Sequence, residues 1–293
     1  ISNLNGVIYV DGVRFAKTGA GIQAAINFAS SAGIGTVILP AGNINITSRI
    51  TPRSNVCVRG QGMDKTTLTG GQVFDYMIAN IDPNTIDNVC FSDMTLDNAS
   101  TTNGSILRLD YVTNAIIERI HFKGTLGWEL YIGNASTTNT IAVNSDVLVR
   151  NNLFDYSSST LEQFLIFDSK NITVENNIFQ GNSAISGPGL GIYQNSDYIN
   201  VKGNTFRNET GASLYYSLST NNINITNNWF LGNWVGIEGA NLADNGAFGW
   251  QEVNGLRVEN NHFTGNSIAL QLGATQGAIV TGNTFEENTN IGI

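Results

Sequence analysis

Four acidic residues carry the chemistry this sequence offers. Asp110, Glu129, Asp168 and Glu238 lie in or beside short alternating apolar segments that also hold Arg108, Tyr131, Tyr193 and Tyr215. Carboxyl groups beside aromatic rings suit glycoside cleavage. One carboxyl gives a proton and a second acts as a carboxylate, the two ~5–5.5 Å apart for retention or ~6.5–9.5 Å for inversion. Tyrosine offers a sugar ring a flat apolar face with a polar tip. Trp250 lies with Asp244 and Glu252 in the 239–253 connection, where it would wall a groove. Elimination from a uronic acid would instead pair a base with Arg108 or a bound Ca²⁺, which neutralises the substrate carboxylate. Two cysteines and two histidines exclude Cys-rich and His-rich metal sites, and no residue is assigned to a metal.

These side chains need a scaffold, and the scaffold is written as a repeat. Ile172-Thr-Val-Glu-Asn-Asn-Ile-Phe179, Ile199-Asn-Val-Lys-Gly-Asn-Thr-Phe206 and Ile223-Asn-Ile-Thr-Asn-Asn-Trp-Phe230 are its clearest copies. Anchors at Leu96, Phe122, Phe154, Phe179, Phe206, Phe230, Phe263 and Phe285 recur every 22–33 residues. Apolar residues alternate within each copy, which is strand periodicity. After a Gly/Asn turn a second alternating strand follows, as in Leu107–Leu109, Leu130–Ile132, Leu165–Phe167, Leu214–Tyr216 and Leu270–Leu272. Such a unit cannot bury its own apolar face, whereas stacked copies can. The expected fold is all-β: a single-stranded parallel β-helix forming one domain over residues 1–293. Residues 1–50 would make the N-terminal cap and first strands, and about 51–293 the coils. Variable spacing fits coils with loops of different length better than propeller blades or leucine-rich repeats.

Stacking turns sequence positions into columns. Asn152, Asn177, Asn204, Asn228, Asn261 and Asn283 should form an internal amide ladder, each bonding the next coil. Glu118, Arg150, Glu175 and Lys202 should pair outside on successive coils, so they leave the catalytic list. Cys57 and Cys90 should neighbour one another, either as a disulfide or as free thiols in a covered apolar strip. His121 and His262 share an outward column several coils apart. On the second-strand face, the reading places Arg108, Tyr131, Ile166, Gly191, Tyr215 and Gly236 in one outward column. Asp110, Gly133, Asp168, Tyr193, Ser217, Glu238 and Gln271 form the next, with Glu129 on the same face. Asp110 and Asp168 would then stand two coils, or roughly 9–10 Å, apart.

About 40 asparagines and 32 glycines among 293 residues fit a chain that turns often. A net charge of −9 argues against a nucleic-acid partner and disfavours polyanionic glycans unless cations bridge them. No apolar run reaches the ~18–20 residues that span a bilayer. The chain opens on Ile1, as expected of one that begins after a processing boundary, and stops at Ile293 inside an alternating strand. Ile22, Ala25, Ile26 and Ala29 have helical spacing, so a short amphipathic helix should cap the first coil.

Gly21-Ile-Gln-Ala-Ala-Ile-Asn, then Gly35-Thr-Val-Ile-Leu-Pro-Ala-Gly42 and Asn55-Val-Cys-Val-Arg-Gly-Gln-Gly62, followed by the Asn-Asn-x-Phe coils, resemble the pectate-lyase-like superfamily. The resemblance is to its branch of phage tailspikes and polysaccharide-degrading β-helices, and it covers nearly the whole chain. It implies right-handed coiling, a polysaccharide partner, a secreted or virion-surface location and, if tailspike-like, a homotrimer. The polygalacturonase Asp-Asp and Gly-His-Gly motifs, the pectate-lyase Arg-x-Pro-x-x-Arg and the epimerase Asp-Pro-His are absent, so no catalytic residue carries over. The leading expectation is polysaccharide cleavage, by hydrolysis or elimination, in a groove on the outer strand face. A non-catalytic glycan-binding or adhesion module and a self-associating surface protein are the alternatives.

Overall fold

The computed structural model describes residues 6–70, 75–81, 83–98, 104–124, 127–133, 144–155, 161–182, 187–217, 219–240, 253–273 and 275–290. The chain is a right-handed parallel β-helix of about 8 turns with one helix near its start. A full coil lays down three strands, for example Ser169–Glu175, Ile178–Gln180 and Leu190–Tyr193. The first two strand stacks belong to a 22-stranded sheet, and the third forms an 8-stranded sheet.

Side chains repeat in register because each coil buries the same positions. Val147, Ile172, Ile199 and Ile223 pair in sequence, and all are buried. Phe122, Phe154, Phe179, Phe206, Phe230, Phe263 and Phe285 form a continuous ring stack with centroids 4.5–5.1 Å apart. Each stacked pair contributes about 0.5–1.5 kcal/mol beyond the area it buries.

The asparagine ladder forms as expected. Asn152, Asn177, Asn204 and Asn228 each donate their side-chain amide, at 3.0 Å, to Oδ1 of the ladder residue one coil on. The same Oδ1 accepts the backbone N–H at 2.9 Å, and the amide also reaches a carbonyl on the preceding coil. A buried amide with its donors and acceptor all used costs little to desolvate. All six of these corners turn through a left-handed residue just before the ladder Asn: Asn151, Asn176, Asn227 and Asn260 have φ near 56°, and Gly203 and Gly282 have φ 65°. A second ladder, Asn233–Asn266–Asn288, occupies the corner that leads into the 8-stranded sheet.

The helix Gly19–Ala32 caps the first coil. Thr18 accepts from the Gly21 N–H at 3.0 Å, Gly33 ends the helix at φ 67°, and Ile22, Ala25, Ile26 and Ala29 are buried. An antiparallel hairpin, Val7–Val10 with Val13–Ala16, precedes it. Outside, Glu118 meets Arg150 at 2.7 Å and Glu175 meets Lys202 at 2.9 Å. Cys57 and Cys90 are register partners joined by a disulfide, which decides between the two readings of that pair.

Candidate functional site: the outer face of the eight-stranded sheet

The second-strand face is built on the strands Ser105–Leu109, Leu130–Ile132, Phe164–Phe167, Leu190–Tyr193, Ala212–Tyr216 and Val235–Gly239. Their pairing sets one outward column as Arg108, Tyr131, Leu165, Gly191, Tyr215 and Glu238. This corrects the expected columns. Phe164 and Ile166 point inward beside Leu130 and Ile132, so Leu165, not Ile166, takes the outward place. Gly236 leaves the column, since a Cβ there would meet the Phe263 ring and the Ala269 carbonyl. Glu238 moves into it.

Arg108 is the centre of a compact cluster. Its Nε and Nη2 donate to the two Asp110 carboxylate oxygens at 2.7 Å each, and Nη1 donates to the Tyr76 hydroxyl. The guanidinium lies 4.6 Å from the Tyr131 ring centroid and 4.9 Å from that of Tyr76. Burial opposes the Arg108 charge, but the Asp110 pair outweighs it and holds the cation firmly. Burial also pushes the Asp110 carboxyl upward, against the pull of Arg108. Asp110 is thus committed to its bidentate partner, and Tyr131 is only 2% exposed.

The other acids are placed differently from expectation. Glu129 does not face outward: it is 0% exposed, and neither carboxyl oxygen has a partner. Burial, reinforced by Asp155 and Glu209, holds its carboxyl well above the usual range. Asp168 falls one residue beyond its strand, in a left-handed turn at φ 49°, rather than in the Asp110 column. It is buried with Oδ1 unpartnered, and burial raises its carboxyl despite a hydrogen bond from Asn195. Glu238 is five coils from Arg108, roughly 24 Å at ~4.8 Å per coil. Trp250, with Asp244 and Glu252, lies outside the described residues.

The tyrosines do gather, with two residues the sequence reading passed over. Glu162 accepts from the Trp128 indole N–H at 2.8 Å and from the Tyr193 hydroxyl at 2.6 Å. Trp128 packs 5.1 Å from Tyr131, and Tyr193 packs 5.3 Å from Tyr215. Gly191 makes this possible: a Cβ there would lie 2.4 Å from Tyr193 and 2.8 Å from Glu162. Trp128 and Glu162 each stand two residues before an inward-facing residue paired across coils, Leu130 and Phe164. Correct register at Phe164 would have shown them as neighbours. The result is a strip of three partly exposed aromatic faces, Trp128, Tyr193 and Tyr215, with the buried Tyr131 ring behind Trp128. Among the described residues no group of three or more His, Cys, Asp or Glu could hold a metal ion.

No family profile matches the chain, and no curated protein does. Solved structures share its fold. The A-module of the Azotobacter vinelandii mannuronan C-5 epimerase AlgE6 superposes with a TM-score of 0.62 at 16% identity, over 95% of this chain and 93% of that one. The Streptococcus pneumoniae surface protein and adhesin PfbA gives 0.62 at 13% identity, over 96% of each chain. The tailspike protein of the E. coli bacteriophage HK620 gives 0.67 at 16% identity; the match covers 91% of this chain and 53% of the tailspike. In architecture, then, the chain is a parallel β-helix, the fold it shares with these structures.

Proposed function

We propose that this chain engages a polysaccharide along the outer face of the 8-stranded sheet, outside the cell or on a virion surface. The observation that carries the reading is the partly exposed strip of Trp128, Tyr193 and Tyr215, held by Glu162 and backed by the buried Tyr131 and Arg108. Rigid aromatic faces with polar tips offer sugar rings flat apolar surfaces and hydrogen-bonding edges. A mannuronan epimerase, an adhesin and a tailspike among the structures of like fold support it. The Cys57–Cys90 disulfide fits an oxidising compartment.

Of the two sequence readings for this face, binding is favoured over cleavage. Asp110 is neutralised by Arg108, Glu129 points inward, and Glu238 is far from both. Asp168 remains the one carboxyl with a raised proton affinity and a free oxygen close enough to act on Tyr131. If the face also cleaves, Asp168 is its acid. A glycan array with wild type and with Trp128→Ala and Tyr215→Ala tests the binding reading. Each variant should lose about 5- to 100-fold in affinity, the equivalent of ~1–3 kcal/mol from one lost stacking contact. Unchanged affinity in both variants would sink it.

A further inference from the structure

At the corner leading into the 8-stranded sheet the second ladder breaks. Asn233 donates its amide to Asn266 and Asn266 to Asn288, while Asn233 Oδ1 accepts the Glu209 N–H at 3.0 Å. The next place in that column is Glu209, not Asn. An asparagine would have continued the ladder with its amide. A glutamate carries no such donor. It packs instead over Gly189 on the preceding coil, where a Cβ would lie 3.2 Å from its Oε1. Two more polar side chains share this corner. Leu130, Phe164 and Leu190 are register partners on consecutive coils, so Glu129, Gln163 and Gly189, one residue before each, stack in that order. Backbone bonds hold the stack: the Glu129 N–H donates to the Gln163 carbonyl and the Gln163 N–H to that of Pro188, at 3.0 Å each.

The three side chains offer one another acceptors. Glu129 and Gln163 are 0% exposed and Glu209 is 3% exposed. Both Glu129 carboxyl oxygens, Gln163 Oε1 and Glu209 Oε1 have no hydrogen-bond partner. Gln163 stands between the two glutamates along the stack. Its amide nitrogen donates to the Gln180 carbonyl at 2.9 Å, so the oxygen is the free end. Burial first, then the charges of Asp155 and Glu209, hold the Glu129 carboxyl well above its usual range, and burial does the same to Glu209. Among the described residues no Lys, Arg or His acts on either carboxyl. Unmet acceptors at this density cost the fold stability unless something positive meets them. Glu209 also lines a groove of about 750 Å³ with Asp155, Asn182 and Thr210, so the corner opens to solvent on one side.

We propose that this corner binds a Ca²⁺ ion through the carboxylates of Glu129 and Glu209 and the amide oxygen of Gln163, with water from the groove completing its shell. Every donor atom is an oxygen, which selects a hard cation over zinc or copper. Two carboxylates balance the double charge. No third Asp, Glu, His or Cys completes a ligand group among the described residues, so a neutral amide oxygen takes the third place. Carboxylates that bind through one oxygen or two, on side chains from separate coils, suit the flexible shell of Ca²⁺ better than the rigid octahedron of Mg²⁺. Asp155 on the groove wall adds negative charge that draws cations to the mouth. The ion ties three coils together where the ladder ends. It lies behind the 8-stranded sheet, apart from any Ca²⁺ that would neutralise a substrate on the outer face, and it does not rest on the polysaccharide reading.

The test dialyses the whole chain against EGTA, removes the chelator, titrates CaCl2 by calorimetry and records thermal unfolding with and without the metal. Wild type should bind Ca²⁺, and about a hundredfold excess over Kd should raise the unfolding temperature by roughly 3–6 °C. Glu209→Gln keeps the size of the side chain and should lose about tenfold or more in Ca²⁺ affinity, with most of the temperature shift. If that variant does not fold, Glu209→Asp, which keeps the charge but shortens its reach, carries the same comparison. Glu286→Gln, exposed on an outer strand, should bind as wild type does. MgCl2 should need about tenfold more metal for the same shift. No Ca²⁺ binding by wild type up to roughly millimolar metal, unchanged affinity in the Glu209 variant, or Mg²⁺ bound as tightly as Ca²⁺ overturns the proposal.

Discussion

Arg108 illustrates how one residue can look functional and yet be consumed by its neighbours. Its guanidinium satisfies Asp110 twice and lies against two tyrosine rings. Removing it would leave Asp110 buried and unpaired, so Arg108→Ala should lose about 3–5 kcal/mol in urea unfolding, the cost of breaking a buried pair from one side. A loss below 1 kcal/mol would mean that water reaches Asp110. Asn204 makes the complementary case. Its Oδ1 takes the Asn177 backbone N–H and side-chain amide, and its own amide reaches the Val174 carbonyl at 2.9 Å. Asn204→Ala orphans several buried groups at ~1–3 kcal/mol each, so about 3 kcal/mol or more should be lost by the same measurement. Asn45→Ala, where the side chain is exposed on an early strand, is the control and should change little.

At the scale of the strand, register decides which side chains meet. Phe164–Phe167 reads Phe-Leu-Ile-Phe, four apolar residues without alternation, so the sequence alone cannot say which pair faces inward. The fold turns Phe164 and Ile166 inward, because they stack on Leu130 and Ile132 on one side and Leu190 and Ile192 on the other. One residue of slip then carries Asp168 past the strand end and removes the expected Asp110–Asp168 pair. The repeat copies were legible for the opposite reason: Ile-x-Val alternation ends in an Asn and a Phe whose roles exclude any other phase. The disulfide belongs to this scale too. It ties strands 33 residues apart, and Cys90→Ser should lower stability by about 3–4 kcal/mol through the loop it opens. Thermal unfolding with and without reductant should show the same difference for wild type and none for the variant.

For the whole molecule, the buried carboxyls set how stability depends on pH. Glu129 and Glu209 hold their protons in the folded state at pH values where the unfolded chain has released them. The unfolded state then binds fewer protons, so stability should fall as pH rises from the ordinary carboxylate range through the raised folded values, by up to ~1.4 kcal/mol per pH unit for each group. Asp93 and Glu118 work in the opposite sense. Arg119 holds Asp93 down, while Arg119 and Arg150 hold Glu118 down against its burial, so their contributions vanish as pH drops through their lowered folded values. Urea midpoints between pH 5 and 8 should show the alkaline decline, and Glu129→Gln should flatten it. An identical slope in that variant would place the cause elsewhere.

The sequence by itself determined the coil. Anchor phenylalanines, ladder asparagines, the paired charges and the helical cap each follow from a pattern that only stacked strands or an amphipathic helix can satisfy. Proximity of Cys57 and Cys90 was equally legible, although their bonding was not. What only the tertiary structure decided was direction: Glu129 inward rather than outward, Asp168 past the strand rather than on it, Glu162 between Trp128 and Tyr193, and Glu209 at the broken end of a ladder. The physical reason is that a repeat fixes where a residue sits along the coil, whereas the way a side chain points near a corner depends on what the adjacent coils have left unfilled.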